Sequence, residues 1–121
     1  MTDVATTAPT RLVVACLCAQ WCSSCRDYRA TFDDVARRFL DARFTWIDIE
    51  DEATLVDGID VETFPTLLIS AGAEPRFFGA LAPHAETLAA LVRAHAADAV
   101  RTLPDAPLRA LAARLATRHA G

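Results

Sequence analysis

The chain has 121 residues and a formal net charge of −4, from 12 basic and 16 acidic side chains. A chain of this length forms one domain. Hydrophobic residues make up 53% of it and charged residues only 23%, which excludes a disordered polypeptide. The acidic balance argues against a nucleic-acid-binding protein, because nucleic acid requires a cationic face.

The sequence carries no mark of membrane insertion or export. Its apolar runs fall short of the roughly 18–20 residues that cross a bilayer. The opening ten residues, MTDVATTAPT, lack a positive cluster followed by an apolar run, so they do not resemble a signal peptide. We therefore expect a cytoplasmic protein without membrane association, with a flexible arm over residues 1–10.

Apolar patterning predicts a strand, a helix and a second strand in the first half of the chain. Residues 11–18 are apolar on both alternating faces, which is typical of a central strand covered on both sides. In residues 22–39 the apolar positions fall at helical spacing with charged residues opposite them, which predicts an amphipathic helix. The aromatic and β-branched run at residues 44–50 predicts the second strand.

The second half predicts a hairpin and two helices. Residues 66–70 and 75–78 are strands, the latter at the sheet edge, where the missing N–H of its proline is tolerated. A helix starts at Pro83, residues 103–107 break it with two prolines, and residues 108–119 form a last amphipathic helix. The first two strands flank a helix and should be parallel with a right-handed crossover. The order predicts an α/β fold with three α/β/α layers and a mixed four-stranded sheet.

All four cysteines lie between positions 16 and 25. A cluster this tight is a poor structural framework and instead indicates redox chemistry or a metal site. Cys22 and Cys25 are separated by one helical turn, which brings their sulfurs within disulfide reach. The helix N-terminus favours a thiolate at Cys22 and makes it the nucleophile, with Cys25 as the resolving thiol. The alternative is a pair of ordinary buried thiols.

Two motifs resemble those of the thioredoxin family. Residues 19–26 (AQWCSSCR) resemble its active-site segment, in which tryptophan precedes the CxxC, and residues 63–66 (TFPT) resemble its second signature, a proline with a cis peptide bond. The resemblance covers residues 11–101, which we take as a thioredoxin-like domain. Residues 102–121 are then a C-terminal helical extension packed on that domain.

The resemblance implies a protein-disulfide oxidoreductase without cofactor or metal. Cys22 and Cys25 would be the catalytic pair. Trp21, Phe64 and Pro65 would contact the substrate, with the backbone of Phe64 pairing with an extended chain. The partners would be protein disulfides or dithiols and an unidentified redox partner, and we expect a monomer.

The chain also departs from the family pattern. The buried aspartate of many thioredoxins falls at Cys16, its lysine partner falls at Trp46, and the dipeptide inside the CxxC is Ser-Ser rather than Gly-Pro. We expect a shortened N-terminus, since the ten residues before the first predicted strand cannot supply the family's first strand and helix. The extra C-terminal helix is expected to cover the sheet surface left bare, and a dimer contact is the rival interpretation.

Cys16 and Cys18 point to the same face of the first strand, with Cα atoms about 6.6 Å apart. Their parallel side chains argue against a disulfide between them. We interpret Cys18 as a small buried hydrophobe. Cys16 is a candidate auxiliary thiol that exchanges with Cys25 or receives its proton.

Two other function classes stay open. Four thiolates can hold zinc or another soft metal, although a C-x-C inside an apolar strand directs its sulfurs into the core. His95 lies on an apolar stripe and is interpreted as a core residue rather than a ligand. The other class is a non-catalytic interaction module that uses the thioredoxin fold.

Overall fold

Four strands and three helices make up the part of the chain that the computed structural model describes, residues 12–97 and 103–120. The predicted arm over residues 1–10 lies outside these ranges, and so does the predicted end of the helix that starts near Pro83. The elements are β1 (Leu12–Cys18), α1 (Ser23–Arg38), β2 (Arg43–Asp48), β3 (Thr66–Ala71), β4 (Glu74–Ala80), α2 (Ala85–Ala97) and α3 (Ala106–Ala120).

The strands form one mixed sheet in the order β2-β1-β3-β4. β1 pairs with β2 in parallel and with β3 antiparallel, and β4 pairs antiparallel with β3. The hairpin between β3 and β4 turns at Gly72, whose φ of 58° is a left-handed conformation that glycine adopts at little cost. Pro75 lies in the edge strand, where no further partner needs its N–H. The predicted mixed four-stranded sheet is confirmed.

β1 is the centre of the fold, and all seven of its residues are buried. Because side chains alternate along a strand, its two faces enter two separate cores. One core joins Val14, Cys16 and Cys18 to apolar residues of α1 and α2. The other joins Val13 and Leu17 to residues of α3. Helices therefore cover both faces, as the three-layer prediction requires.

α1 packs through a stripe of inward residues at helical spacing. Phe32 is its largest buried side chain, and its ring meets Phe44 and Trp46 of β2 edge-on at centroid distances of 5.3 and 5.6 Å. At the outer surface, Arg38 at the end of α1 donates to a carboxylate oxygen of Glu86 in α2 at 2.8 Å. The aromatic packing fixes α1 on the sheet, and the ion pair ties the two helices together at their rim.

α3 begins two residues earlier than the sequence predicts. Asp105 caps it, because its carboxylate accepts a hydrogen bond from the backbone N–H of Leu108 at 3.0 Å. Pro107 lies in the first turn, where its missing N–H has no helical partner to lose, so of the predicted break at residues 103–107 only the part up to Asp105 lies outside a helix. Leu111 and Leu115 are fully buried against the sheet.

Among the helices within 12–97 and 103–120, none has the length and apolar character to cross a membrane.

Candidate redox site

Cys22 is the residue that starts α1. It has an extended conformation, with φ −87° and ψ 119°, and its carbonyl accepts the N–H of Arg26 at 3.2 Å. Its own N–H donates to the carbonyl of Ala19 at 3.0 Å, which closes the turn between β1 and the helix. The first turn of α1 holds no acidic side chain, so no carboxylate of that turn offsets the positive end of the helix beside this sulfur. Cys22 is a free, partly exposed thiol at the end of a helix that favours negative charge.

The two sequence motifs meet beside this thiol. The Phe64–Pro65 peptide bond is cis, and the ring of Phe64 lies edge-to-face against that of Trp21, with centroids 5.6 Å apart. Trp21 is 61% exposed, and its indole N–H donates to a carboxylate oxygen of Glu50 at 3.1 Å. Cys22 and Phe64 pack against the same core. An exposed aromatic surface therefore borders the nucleophile.

Two further hydrogen bonds brace these loops. The guanidinium of Arg26 donates to the carbonyl of Gln20 at 2.9 Å, across the turn that carries Trp21. The hydroxyl of Thr66, which is buried, donates to the carbonyl of Thr63 at 2.5 Å, across the proline. Both loops are thus held by side-chain donors from the elements that follow them.

Cys25 forms a disulfide with Cys18. The interpretation of Cys18 as an ordinary buried hydrophobe was therefore wrong. Cys18 ends β1 on the face that α1 covers, and Cys25 is the first inward residue of α1, so the short connection holds their Cα atoms 5.8 Å apart, a normal disulfide separation. The sequence indicated part of this arrangement, since Cys18 shares its strand face with Val14 and Cys25 begins the buried helical stripe, but Cys16 lies on the same face and the pattern does not distinguish the two.

The other two cysteines are free thiols. Cys16 is completely buried, and its sulfur lies 3.6 Å from that of Cys18, within hydrogen-bond distance for sulfur. Burial raises the pKa of Cys16 far above its usual value, and the positive charge of Arg29 offsets this only in part. Cys16 is therefore a protonated thiol at neutral pH. The structure joins Cys25 neither to Cys22 nor to Cys16.

The two positions where many thioredoxins have a buried aspartate and lysine are occupied here by Cys16 and Trp46, which are uncharged. Cys16 lies opposite Trp46 in the register of β1 and β2, and the guanidinium of Arg29 lies over the Trp46 ring at 4.8 Å. The hydroxyl of Tyr28 is buried and has no hydrogen-bond partner in the part of the chain described. Burial, and secondarily the neighbouring Cys16, raises the pKa of Tyr28 to about 12. The interior behind the disulfide is thus a neutral environment.

A metal centre is not formed by the described residues. Within 12–97 and 103–120, no group of three or more histidine, cysteine, aspartate or glutamate side chains is arranged to hold an ion. Two of the four sulfurs are joined to each other. His95 lies on α2 with its ring 6.4 Å from that of Phe77, and burial lowers its pKa, with the charge of Arg76 as a second cause. These contacts are those of a packed histidine.

Comparison with known proteins decides the family. The family model described as thioredoxin matches residues 2–94, well over half of the chain. The chain belongs to the thioredoxin family. The resemblance noted in the two sequence motifs is thereby confirmed.

Curated relatives and solved structures agree with this membership. Thioredoxin H2-2 of Oryza sativa subsp. japonica is 36% identical over 64 residues, which are 53% of this chain and 48% of the relative. The H-type thioredoxin of Brassica oleracea is 33% identical over 64 residues, covering 53% of this chain and 52% of its own. The chain therefore spans about half the length of the curated relatives it matches.

The solved structures show the fold alone, because their sequence identities are low. A mutant thioredoxin from Halobacterium salinarum superposes with a TM-score of 0.65 at 23% identity, covering 76% of this chain and 80% of that one. The X-ray structure of Fasciola hepatica thioredoxin gives 0.64 at 20% identity, covering 72% and 83%. The thioredoxin-like architecture predicted from the sequence is confirmed.

Proposed function

We propose that this protein is a thiol-disulfide oxidoreductase that exchanges disulfides with protein substrates through Cys22 and Cys25. One observation carries the proposal: Cys22 is a free, partly exposed thiol at the N-terminus of α1, beside an exposed aromatic surface. Membership of the thioredoxin family and the likeness to curated thioredoxins support it.

The first step of the proposed cycle is nucleophilic attack. The sulfur of Cys22, at the end of α1 where the backbone N–H groups are free, attacks one sulfur of a substrate disulfide as a thiolate. A mixed disulfide forms between Cys22 and the substrate, and the second substrate sulfur leaves as a thiolate that takes up a proton. Substrate recognition falls to Trp21 and to the backbone of Phe64 beside Pro65, which would pair with an extended chain by strand addition.

The second step releases the substrate. In the reduced protein Cys25 is a thiol one helical turn from Cys22, and side chains three residues apart on a helix are neighbours. Loss of its proton lets the Cys25 sulfur attack Cys22, so that a Cys22–Cys25 disulfide forms and the substrate leaves as a dithiol. The protein then needs an electron donor, or it passes the disulfide on when the reaction runs in the other direction. Substrates are therefore protein disulfides or dithiols, with one further redox partner.

The proposed activity also bears on the compartment, the domain organisation and the oligomeric state of the protein. A reducing compartment, the cytoplasm, suits a protein that works through free thiols. Residues 11–101 would be the exchanging domain and residues 102–121 an extension packed on it, in a monomer. Fractionation of the source cells and sedimentation of the purified chain test these two points.

Reduction of insulin in the presence of dithiothreitol tests the activity. Two variants carry the same cysteine-to-serine change at different positions, and each serves as the control for the other. Cys22→Ser should reduce the rate to that of dithiothreitol alone and form no covalent complex. Cys25→Ser should also lose turnover, and when it is mixed with insulin in the absence of dithiothreitol it should accumulate a mixed disulfide, visible on non-reducing gels. Retained turnover in Cys22→Ser would contradict the proposal. Insulin binding without turnover by the wild type would favour the interaction module instead.

A further inference from the structure

Cys25 has two cysteines within reach, one on each side. Cys22 is one turn earlier, at the partly exposed start of α1. Cys18 is at the end of β1, with its Cα 5.8 Å from that of Cys25 and a disulfide between them. The proposed cycle uses only the first partner, whereas the structure contains the bond to the second. Both arrangements need the same sulfur, so they exclude each other.

The two partners differ in access to solvent. Cys18 and Cys25 are each 1% exposed, so their bond is enclosed between β1 and α1. Cys22 is the one cysteine of the four that is not buried. A protein disulfide or an external reductant therefore reaches Cys22 directly, and it reaches the Cys18–Cys25 bond only through Cys22 or after the site opens.

We propose that Cys18 is a second resolving cysteine, which replaces Cys22 as the disulfide partner of Cys25. The disulfide thereby moves from the partly exposed Cys22–Cys25 pair to the buried Cys18–Cys25 pair. The proposal rests on the proposed function, because that cycle supplies the Cys22–Cys25 disulfide from a protein substrate. The product is an oxidised protein whose nucleophile is again a free thiol, as in the structure.

The step is an internal exchange with no net oxidation. The thiol of Cys18 loses its proton, and its sulfur attacks the sulfur of Cys25 in the Cys22–Cys25 disulfide. The bond between Cys18 and Cys25 forms, and the bond between Cys22 and Cys25 breaks. The electron pair stays on Cys22, which leaves as a thiolate at the helix end and takes up the proton. One disulfide and one thiol are present before and after the step.

The exchange changes what the site can do. With Cys25 held by Cys18, the Cys22 thiolate still attacks a substrate disulfide, but no thiol is placed to resolve the mixed disulfide. The oxidised protein therefore holds its substrate covalently until an external thiol reduces the mixed disulfide and frees Cys22. The freed Cys22 thiolate then attacks Cys25 and reverses the exchange, which returns the disulfide to the surface pair. Oxidation state thus switches the site between turnover and capture.

Disulfide mapping of the wild-type chain tests the exchange directly. Reduced protein, freed of reductant, receives one equivalent of insulin and is quenched with acid at successive times, then alkylated with N-ethylmaleimide. Cleavage after Trp21 separates Cys18 from Cys22 and Cys25, so a Cys18–Cys25 bond joins two peptides, whereas a Cys22–Cys25 bond lies within one. We expect the internal bond first and the joined peptides later, with Cys22 alkylated. A Cys22–Cys25 bond that persists at all times would overturn the proposal.

Two alanine variants on β1 distinguish an effect on disulfide exchange from an effect on core packing. Cys18→Ala should hold the disulfide at Cys22–Cys25, with loss of the late alkylation of Cys22. Cys16→Ala is the control: it is the same substitution at an equally buried site on the same face of β1, and it should map like the wild type. If Cys16→Ala also stopped the exchange, or if Cys18→Ala still released Cys22, the assignment to Cys18 would be wrong.

A third variant tests the route through Cys22. Cys22→Ser should form the Cys18–Cys25 bond from insulin at least about tenfold more slowly than the wild type, because the buried sulfurs lose their relay. An equal rate would overturn the relay. Insulin reduction by the wild type is measured separately and tests the proposed function. If the wild type reduces insulin but Cys18 never forms a disulfide, only this inference fails. If the wild type does not reduce insulin, the proposed function fails as well.

Discussion

The two faces of β1 differ in chemistry although both are fully buried. The face under α1 and α2 carries Cys16 and Cys18 and meets aromatic rings and a disulfide. The face under α3 carries Val13, Ala15 and Leu17 and meets mainly aliphatic side chains, with one partly buried phenylalanine. One strand thus separates a sulfur core, defined by the residues on the α1 side, from an aliphatic core on the α3 side. Substitutions should affect redox behaviour on the first side and stability alone on the second.

The largest effect is expected from removing the cover of the aliphatic core. Deletion of residues 104–121 takes away Leu111 and Leu115, which are fully buried against Leu17, Ile47 and Leu68. The exposed sheet face should abolish cooperative thermal unfolding and lower solubility, measured by circular dichroism and sedimentation. A folded monomer after deletion would instead support the rival view that this helix forms a dimer contact in the intact chain.

A single substitution in the aliphatic core measures how much its packing contributes to the free energy of unfolding. Leu111→Ala should lower the free energy of unfolding by about 2–5 kcal/mol, the cost of lost burial and a cavity. Leu40→Ala, at a leucine that is 83% exposed, is the control and should change it by less than about 0.5 kcal/mol. Urea titration measures both. The alkylation rate of Cys22 in the folded Leu111→Ala protein should equal that of the wild type, because α3 lies on the other side of β1.

On the sulfur side, reduction of the disulfide should cost stability. Cys18 and Cys25 are seven residues apart, and closing a loop of that size constrains the unfolded chain by about 2–3 kcal/mol. Urea unfolding of the oxidised wild type should therefore show a higher midpoint than that of the reduced protein. Cys25→Ala should lose this dependence on reductant, whereas Cys16→Ala should keep it. Equal midpoints in both redox states would mean that the bond adds no stability.

The sequence predicted the arrangement of β1 and α1 better than the connection between them. Alternation along β1 and the spacing of Cys25, Tyr28 and Phe32 each follow from local geometry, so the two buried faces could be predicted. Whether Cys16 or Cys18 lies opposite Cys25 depends on how the short connecting turn places the helix over the strand. Local hydrogen bonds close that turn, but a tertiary contact also holds it, the hydrogen bond from Trp21 to Glu50, 29 residues later, which no local pattern contains.

At the rim of the sulfur core, Trp21 should matter for exchange rather than for folding. Its ring is mostly exposed and touches Phe64, so Trp21→Ala should cost no more than about 1 kcal/mol of stability. Insulin reduction should fall several-fold, because the most exposed ring beside Cys22 is removed. Leu40→Ala removes another exposed apolar side chain and should leave the rate unchanged. A Trp21→Ala protein with full activity would remove this residue from the substrate surface.

The smallest effect lies on the outer surface of the sulfur side, where Arg38 of α1 meets Glu86 of α2. The hydrogen bond and charge of Arg38 lower the pKa of Glu86 below its ordinary value of 4.5. An acid with a lowered folded-state pKa stabilises the protein above its unfolded-state pKa, and this contribution disappears as the pH falls through the folded-state value. Glu86→Gln should therefore lower the melting temperature slightly at pH 7, and the difference from wild type should vanish well below pH 4.5.

Salt and a second carboxylate make this test specific. Both partners are solvent-exposed, so added salt should shrink the difference at pH 7 by screening the pair. Glu62→Gln alters an exposed carboxylate before Pro65 and should not reproduce the pH dependence. A difference between Glu86→Gln and wild type that persists at pH 3 would assign its effect to packing between α1 and α2 rather than to charge. The rate of Cys22 alkylation should be the same in all three proteins, since this ion pair lies at the C-terminal end of α1 and Cys22 at its start.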